Sequence, residues 1–376
     1  MHCRFLSILV LILCSSVVQS ADIPEPPEVD ARAHFLVDMH SGRVLSEAGA
    51  DTRLEPASLA KMMTSYVVFA EMARGKFALS DEVLVSEKAW RMKGSRMFIE
   101  VGTRVSVEAL LMGLIVQSGN DAAVALAEFV AGDEGTFAGL MNRYARQLGM
   151  TGSHFTNASG LPESDLYTTA RDMAVIATAL IRDFPQYYPW NAVREYEYGG
   201  IKQRNRNRLL FHDDSVDGLK TGYTRAARYC LVASAERDGM RLIAVVMGAE
   251  SARARTRIAQ SLLNYGFRFY ETHRVYAPEE KVTDIRVWKG EDKRLALGLE
   301  ESLYVTVPRG RYDEIDAQVE VATGLVAPVR AGEPQGVLRL ALGDELSLER
   351  PLVALEDVAE GSLWQRVSDH VRLMFE

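Results

Sequence analysis

The chain has 376 residues, 48% hydrophobic and 25% charged, the balance of a soluble globular protein too long for one hydrophobic core, so two domains are expected. A formal net charge of -8 with no long basic run excludes non-specific nucleic-acid binding, which needs a basic surface to neutralise phosphates.

The chain opens on His2 and Arg4, an apolar run from Phe5 to Leu13, and Val18-Gln-Ser20 before Ala21. This is the pattern of a secretory signal peptide over residues 1–20, with a small-residue cleavage site. Lipidation at Cys14 is disfavoured by the bulky Leu13 before it. Loss of the leader removes Cys3 and Cys14 and leaves Cys230 alone, unable to form an internal disulfide. The apolar stretch Tyr229-Cys-Leu-Val-Ala reads as a buried strand with an inert core thiol.

After a proline-rich spacer at Asp22-Ile-Pro-Glu-Pro-Pro-Glu, the segments His34-Phe-Leu-Val-Asp and Arg43-Val-Leu-Ser flank a Ser41-Gly42 turn and predict a hairpin. Pro56 stands at a helix-start position, and residues 58–72 have helical character. Residues 118–130, 137–148 and 169–181 predict further helices. From Gly218 the pattern changes to strands at Leu219-Lys-Thr-Gly, 229–235 and 241–248, with a turn at Asp238-Gly239, and then to an amphipathic helix over 252–271. Strands, helices, strands and a helix in that order make an α+β domain, assigned to residues 29–272. Short alternating segments such as Leu303-Tyr-Val-Thr-Val, broken by Pro308-Arg-Gly and Leu342-Gly-Asp, predict a small all-β domain over 273–358.

Residues 359–376 predict a terminal amphipathic helix with Leu363, Val367, Val371 and Met374 on one stripe beside Trp364 and Phe375. It is too short to span a bilayer. An in-plane membrane anchor and a helix docked on the β domain both remain open; the aromatic residues and terminal position favour the anchor, although Asp369 and Glu376 make it weakly basic.

Three short motifs carry the chemistry: Ser58-Leu-Ala-Lys61, Ser118-Gly-Asn120 and Lys220-Thr-Gly222. Alone, each has a bland reading: a first-turn serine, a helix cap, a lysine before a glycine bulge. Together they describe a serine nucleophile between two lysines. Residues three apart share a helix face, so Lys61 reaches Ser58, and it serves as general base if burial and the second cation, Lys220, hold it neutral. Ser118 can relay the proton to a leaving amine, and Asn120 can bond a substrate amide and orient Lys61. Thr221 offers a hydroxyl to a terminal carboxylate, and Gly222 is expected to leave room for substrate backbone. The backbone N–H groups of Ser58 and Tyr223 would form an oxyanion hole.

These motifs are a signature of penicillin-binding proteins and class A β-lactamases. The sequence resembles the low-molecular-mass penicillin-binding proteins, the D-alanyl-D-alanine carboxypeptidases of bacterial cell walls. Ser118-Gly-Asn-Asp-Ala-Ala, Thr168-Thr-Ala-Arg-Asp-Met, Asn205-Arg-Asn and Val216-Asp-Gly-Leu-Lys-Thr-Gly-Tyr-Thr carry the likeness over residues 31–272, with a weaker match beyond. The resemblance implies a transpeptidase/β-lactamase-like fold, an antiparallel sheet between helix clusters, followed by a β-rich stalk and an amphipathic anchor. It implies Ser58 as nucleophile, Lys61 as base, Ser118 and Asn120 as relay and orienter, and Lys220, Thr221 and Gly222 as the substrate strand. Arg255 takes the place of a carboxylate-binding arginine. Arg206 either supports the site or lies on a solvated loop. One departure is Arg228 after Ala227, where the family usually has glycine.

The implied activity is removal of the terminal D-alanine from peptidoglycan pentapeptides, with β-lactam antibiotics acylating the same serine and no cofactor or metal. The implied location is the periplasm, with peripheral attachment to the outer face of the cytoplasmic membrane. A β-lactamase is the nearest alternative, but the Glu-x-x-Leu-Asn that holds the deacylating water in class A enzymes is absent. A non-catalytic envelope protein is a third possibility, against which the intact Ser58, Lys61, Ser118 and Lys220 count. Among the seven histidines there is no His-Glu-x-x-His. Asn157-Ala-Ser159 matches a glycosylation acceptor, read as coincidence.

Overall fold

The computed structural model describes residues 23–373, so the leader, Cys3 and Cys14 and the terminal Met374, Phe375 and Glu376 lie outside the described residues. A five-stranded antiparallel sheet organises the first domain. Its strands are β1 (Ala33–Asp38), β2 (Val44–Ala48), β3 (Val216–Thr224), β4 (Arg228–Arg237) and β5 (Met240–Ala249), in the order β2-β1-β5-β4-β3. The N-terminal hairpin therefore completes the sheet built by the late strands, Ala33 pairing with Met247.

All residues of β5 are buried, because both faces of the sheet are covered. Successive side chains point to opposite faces. Ile243, Val245 and Met247 enter the core shared with helices α1 (Lys61–Ala73), α2 (Asn120–Ala131), α3 (Glu134–Gln147) and α4 (Ala170–Asp183). Leu242, Ala244 and Val246 face α5 (Ala252–Phe269), where Ile258, Ala259, Leu262 and Leu263 meet them. A continuous apolar run is the sequence signature of a strand buried on both sides.

Two helices begin later than their sequence predicts. Residues Ala57–Ala60 form a 3-10 turn, with Ala57 at φ 49, and the α-helix starts at Lys61. Residues Gly113–Gln117 form a π-helical turn that delivers Ser118 in the left-handed region (φ 62, ψ 35), so α2 starts at Asn120. The helix predicted over 252–271 ends at Phe269, because Tyr270–Tyr276 pairs as a strand with Leu303–Pro308. Its aromatic and β-branched residues suit a sheet, and pairing with a distant partner overrides helical periodicity.

That pair leads into the second domain, a five-stranded antiparallel sheet with its own core around Leu295, Leu297, Leu338, Leu340 and Leu352. A partly buried polar cluster ties the domains together. Thr272 Oγ1 donates to the Asp38 carboxylate at 2.8 Å, Ser41 Oγ lies 2.6 Å from Thr306 Oγ1, and an Arg43 guanidinium N–H donates to Thr306 O at 2.7 Å. The final helix, α6 (Leu363–Leu373), is held by its polar side: the Asp369 carboxylate accepts the Lys289 N–H at 2.8 Å. Leu363, Trp364, Val367 and Val371 face solvent. Among the described residues no helix is long and apolar enough to cross a membrane.

Candidate active site

Ser58 is half-buried at the turn into α1, and Lys61, 1% exposed, follows on the same face. Lys61 Nζ lies 3.1 Å from Ser58 Oγ, 2.7 Å from Asn120 Oδ1 and 2.6 Å from Ser159 O. Two of these partners are acceptors only, whereas the hydroxyl can donate. A neutral amine has two N–H bonds and one lone pair. Both N–H bonds are taken by Asn120 and Ser159, which leaves the lone pair for the Ser58 proton. Burial, reinforced by the nearby Arg206 guanidinium, pushes the Lys61 amine down to about 7.

Ser118 and Lys220 form the opposite wall. Lys220 Nζ donates to Ser118 Oγ at 2.7 Å and to Thr221 O at 3.2 Å. Burial, then the positive charges of Lys61, Arg206 and Arg255, hold the Lys220 amine well below the usual lysine range. The left-handed turn at Ser118 aims its side chain at Lys220, while Asn120, one residue into α2, faces Lys61. The Asn120 amide is fixed at both ends, because its Nδ2 donates to Lys93 O at 2.6 Å.

The segment carrying Lys93 is itself braced by Asp121. That buried carboxylate accepts N–H bonds from Met97, Phe98 and Ile99 at 3.0, 2.8 and 3.3 Å. Nothing in the sequence motif separates Asp121 from an ordinary first-turn acid, so its role is visible only once residues 97–99 are folded over it.

Strand β3 brings Lys220, Thr221, Gly222 and Tyr223 along the cleft. Gly222 differs from its sequence expectation. A Cβ there would lie 3.1 Å from Pro56 O and 3.3 Å from Ser58 N, so the missing side chain makes room for the turn that carries Ser58. Tyr223 is 56% exposed and stacks on Tyr229, with ring centroids 4.4 Å apart. Arg255 reaches the back of β3 from α5, donating to Gly222 O at 2.9 Å and Cys230 O at 3.2 Å. Burial lowers its guanidinium to about 10. Arg206 is exposed, held between the buried Asn205 and Asn207. Asn205 Nδ2 donates to Val193 O at 3.0 Å and Asn207 Nδ2 to Gly218 O at 2.8 Å. Asn207 thus pins the loop to β3 and Asn205 pins it to the segment at Val193, and the exposed Arg206 between them lines one cavity with Tyr223 and Arg255. Cys230 is fully buried, and burial raises its thiol to about 11.

The loop around Asn157 carries no motif that would mark it as part of the site. Asn157 is 3% exposed, and its Oδ1 accepts from Ser159 N, Ser159 Oγ and Gly160 N at 3.2, 3.1 and 2.7 Å. This turn presents Ser159 O to Lys61. Gly160, at φ +76, lies so close beneath the turn that carries Ser58 that a Cβ would fall 1.8 Å from Ala57 O. The only sequence signal was a glycine after an Asn-Ala-Ser triplet, which a glycosylation motif also produces.

Comparison with known proteins places this geometry. A family model described as D-alanyl-D-alanine carboxypeptidase matches residues 20–251, and one described as the C-terminal domain of penicillin-binding protein 5 matches residues 270–360. The D-alanyl-D-alanine carboxypeptidase DacC of Escherichia coli (strain K12) is 44% identical over 359 residues, covering 93% of this chain and 90% of the relative. A crystal structure of penicillin-binding protein 5 from Haemophilus influenzae superposes with a TM-score of 0.85 at 39% identity, covering 90% of this chain and all of the other. Penicillin-binding protein D2 from Listeria monocytogenes, solved in an ampicillin-bound form, superposes at 0.60 with 28% identity, covering 65% of this chain and 100% of that one. Since the first match takes in the sheet, both serines and both lysines, and the second the β domain, the chain belongs to the D-alanyl-D-alanine carboxypeptidase family.

Proposed function

We propose that the protein removes the terminal D-alanine from peptidoglycan pentapeptides through an acyl-enzyme on Ser58. The surroundings of Lys61 carry this reading: two acceptor oxygens occupy its N–H bonds and its lone pair faces the Ser58 hydroxyl. Ser58 Oγ attacks the carbonyl of the penultimate D-alanine as Lys61 takes its proton. The N–H groups of Ser58 and Tyr223 hold the oxyanion. A proton delivered through Ser118, hydrogen-bonded to Lys220, lets D-alanine leave as the amine. Water, activated by Lys61, then hydrolyses the ester, so one water is consumed and Ser58 is regenerated. Asn120 orients Lys61 and bonds the substrate amide, Lys220, Thr221 and Gly222 form the strand beside it, and Arg206 and Arg255 hold the terminal carboxylate side. The catalytic unit spans residues 29–272, with the β unit at 273–358.

β-lactams would acylate the same serine, a reading supported by the ampicillin-bound relative from Listeria. A peptide ending in D-Ala-D-Ala is expected to release one free D-alanine per molecule, followed by D-amino-acid oxidase assay, while bound penicillin leaves slowly. Rapid, repeated ring opening without D-alanine release would point to a β-lactamase instead.

The protein's place is outside the cytoplasm, peripherally attached to the outer face of the inner membrane after removal of residues 1–20. Supporting this, Leu363 is 77% and Trp364 86% exposed on α6, with Val367 and Val371 beside them, while Asp369 fastens the opposite side to the β domain. Such a helix lays its apolar stripe into a lipid interface. Trp364→Asp combined with Val367→Asp is expected to weaken co-sedimentation with phosphatidylethanolamine and phosphatidylglycerol vesicles by about tenfold or more, since burying one large apolar side chain is worth roughly 1.5–3 kcal/mol. Unchanged sedimentation would argue for a helix that merely docks on the β domain.

A further inference from the structure

Where β3 carries Tyr223 lies a cavity of about 680 Å³ lined by Arg204, Arg206, Arg208, His212, Tyr223 and Arg255 among others. No aspartate or glutamate lines it. A departing alanine brings one carboxylate and a methyl group, far less charge and volume than this space accommodates.

The arginines differ in how they are satisfied. Arg204 pairs with Glu195 at 3.3 Å and lies over the Phe211 ring. Arg255 is 8% exposed, directs its bonds to two backbone carbonyls, and keeps a buried Nε with no partner. Arg206 and Arg208 are exposed and make no hydrogen bond or ion pair among the described residues. Both nonetheless repel Arg255, adding to the burial that lowers it. Three guanidinium groups thus face one cavity without a counter-charge, in a chain whose net charge is -8. A terminal carboxylate bound along β3 uses Arg206 and Arg255, the two whose charges also act on Lys220. Arg208 remains. It opens the short turn Arg208–Phe211, which the preceding Asn207 caps by accepting from Leu209 N at 3.1 Å and ties to β3 by donating to Gly218 O at 2.8 Å. Its position relative to the substrate strand is therefore set by the same asparagine that shapes the site.

From this arrangement, and resting on the carboxypeptidase reading above, we infer that the enzyme also releases C-terminal D-residues with an acidic side chain, Arg208 pairing with that second carboxylate. Guanidinium matches carboxylate in a forked, charge-assisted geometry, and a cavity without acids presents no opposing charge. The bond cleaved and the acyl-enzyme formed are unchanged; only the leaving amine differs.

Three peptides identical except for a last residue of D-Ala, D-Glu or D-Gln separate charge from size, since D-Glu and D-Gln are nearly isosteric. For the wild type, kcat/KM for the D-Glu peptide is expected to exceed that for the D-Gln peptide by about tenfold at low salt, the scale of one charge-assisted pair. Arg208→Gln should reduce that ratio at least about fivefold and Arg208→Lys should retain most of it. A general loss of fold would lower all three rates together and leave the ratio alone. Equal D-Glu and D-Gln rates in the wild type, or an unchanged ratio in Arg208→Gln, would overturn the inference while D-alanine release continued. No D-alanine release from the D-Ala peptide would sink the carboxypeptidase reading, and this inference with it.

Discussion

Lys61→Met is expected to slow acylation of Ser58 by penicillin about 10²- to 10⁴-fold, the range lost when a positioned general base is removed. Methionine has a similar length and keeps the apolar stem packed in α1, so circular dichroism should show the same fold. The wild type supplies the complementary signature. Because burial brings the Lys61 amine down to about 7, its base form grows as pH rises. The acylation rate, followed by stopped flow, should climb through about pH 7 and flatten above, and Lys61→Met should lack this limb. The same displacement bears on stability with a definite sign. Between about 7 and the ordinary lysine value of 10.5 the unfolded chain binds a proton that the folded chain does not. Lys61 therefore disfavours folding increasingly as pH falls through that window, and adds no further pH dependence below it.

Gly160→Ala carries the other large effect, and for a steric reason. The new Cβ would stand 1.8 Å from Ala57 O, and the residue sits at φ +76. The close contact is with backbone, so no side chain can swing away, and the turn that carries Ser58 has to move. The left-handed conformation and the overpacking together are expected to destabilise the protein by about 2–4 kcal/mol. Acylation should fall at least about a hundredfold, since small misplacement of reacting groups has effects of that size. Gly132→Ala is the matched control: it has φ +84 but nothing within 4 Å of the added Cβ. It should lower stability by about 1 kcal/mol and leave acylation intact. Equal loss in both variants, by thermal denaturation and penicillin binding, would show that the contact beneath Ser58 is not the cause.

The parts of the fold that the sequence made legible are those with local signals. The Ser41-Gly42 turn, the Asp238-Gly239 turn and the apolar run of β5 each announce their geometry within a few residues, and the resulting sheet lies between helices as expected. Contacts made at long range were not legible. Tyr270 and Glu271 read as the end of a helix until their strand partners Pro308 and Val307 are known. Gly222 reads as space for substrate until Pro56 and Ser58 are seen against it. The site divides in the same way: the serines and lysines stand in short recognisable motifs, whereas Ser159, which holds Lys61 through a backbone oxygen, and Asp121, which braces residues 97–99, act through groups that any sequence possesses. Asn157 is the sharpest case, since its triplet suggests a surface sugar site and its side chain is buried, holding the turn of Ser159 and Gly160.

The relation between Ser58 and its two lysines can be examined in a single measurement, the intact mass of the protein after brief exposure to penicillin, followed by peptide mapping. One added penicillin per chain is expected, on the peptide containing Ser58, and no adduct in Ser58→Ala. An adduct on any other residue, or an equal mass gain in Ser58→Ala, would contradict the role of Ser58 as nucleophile.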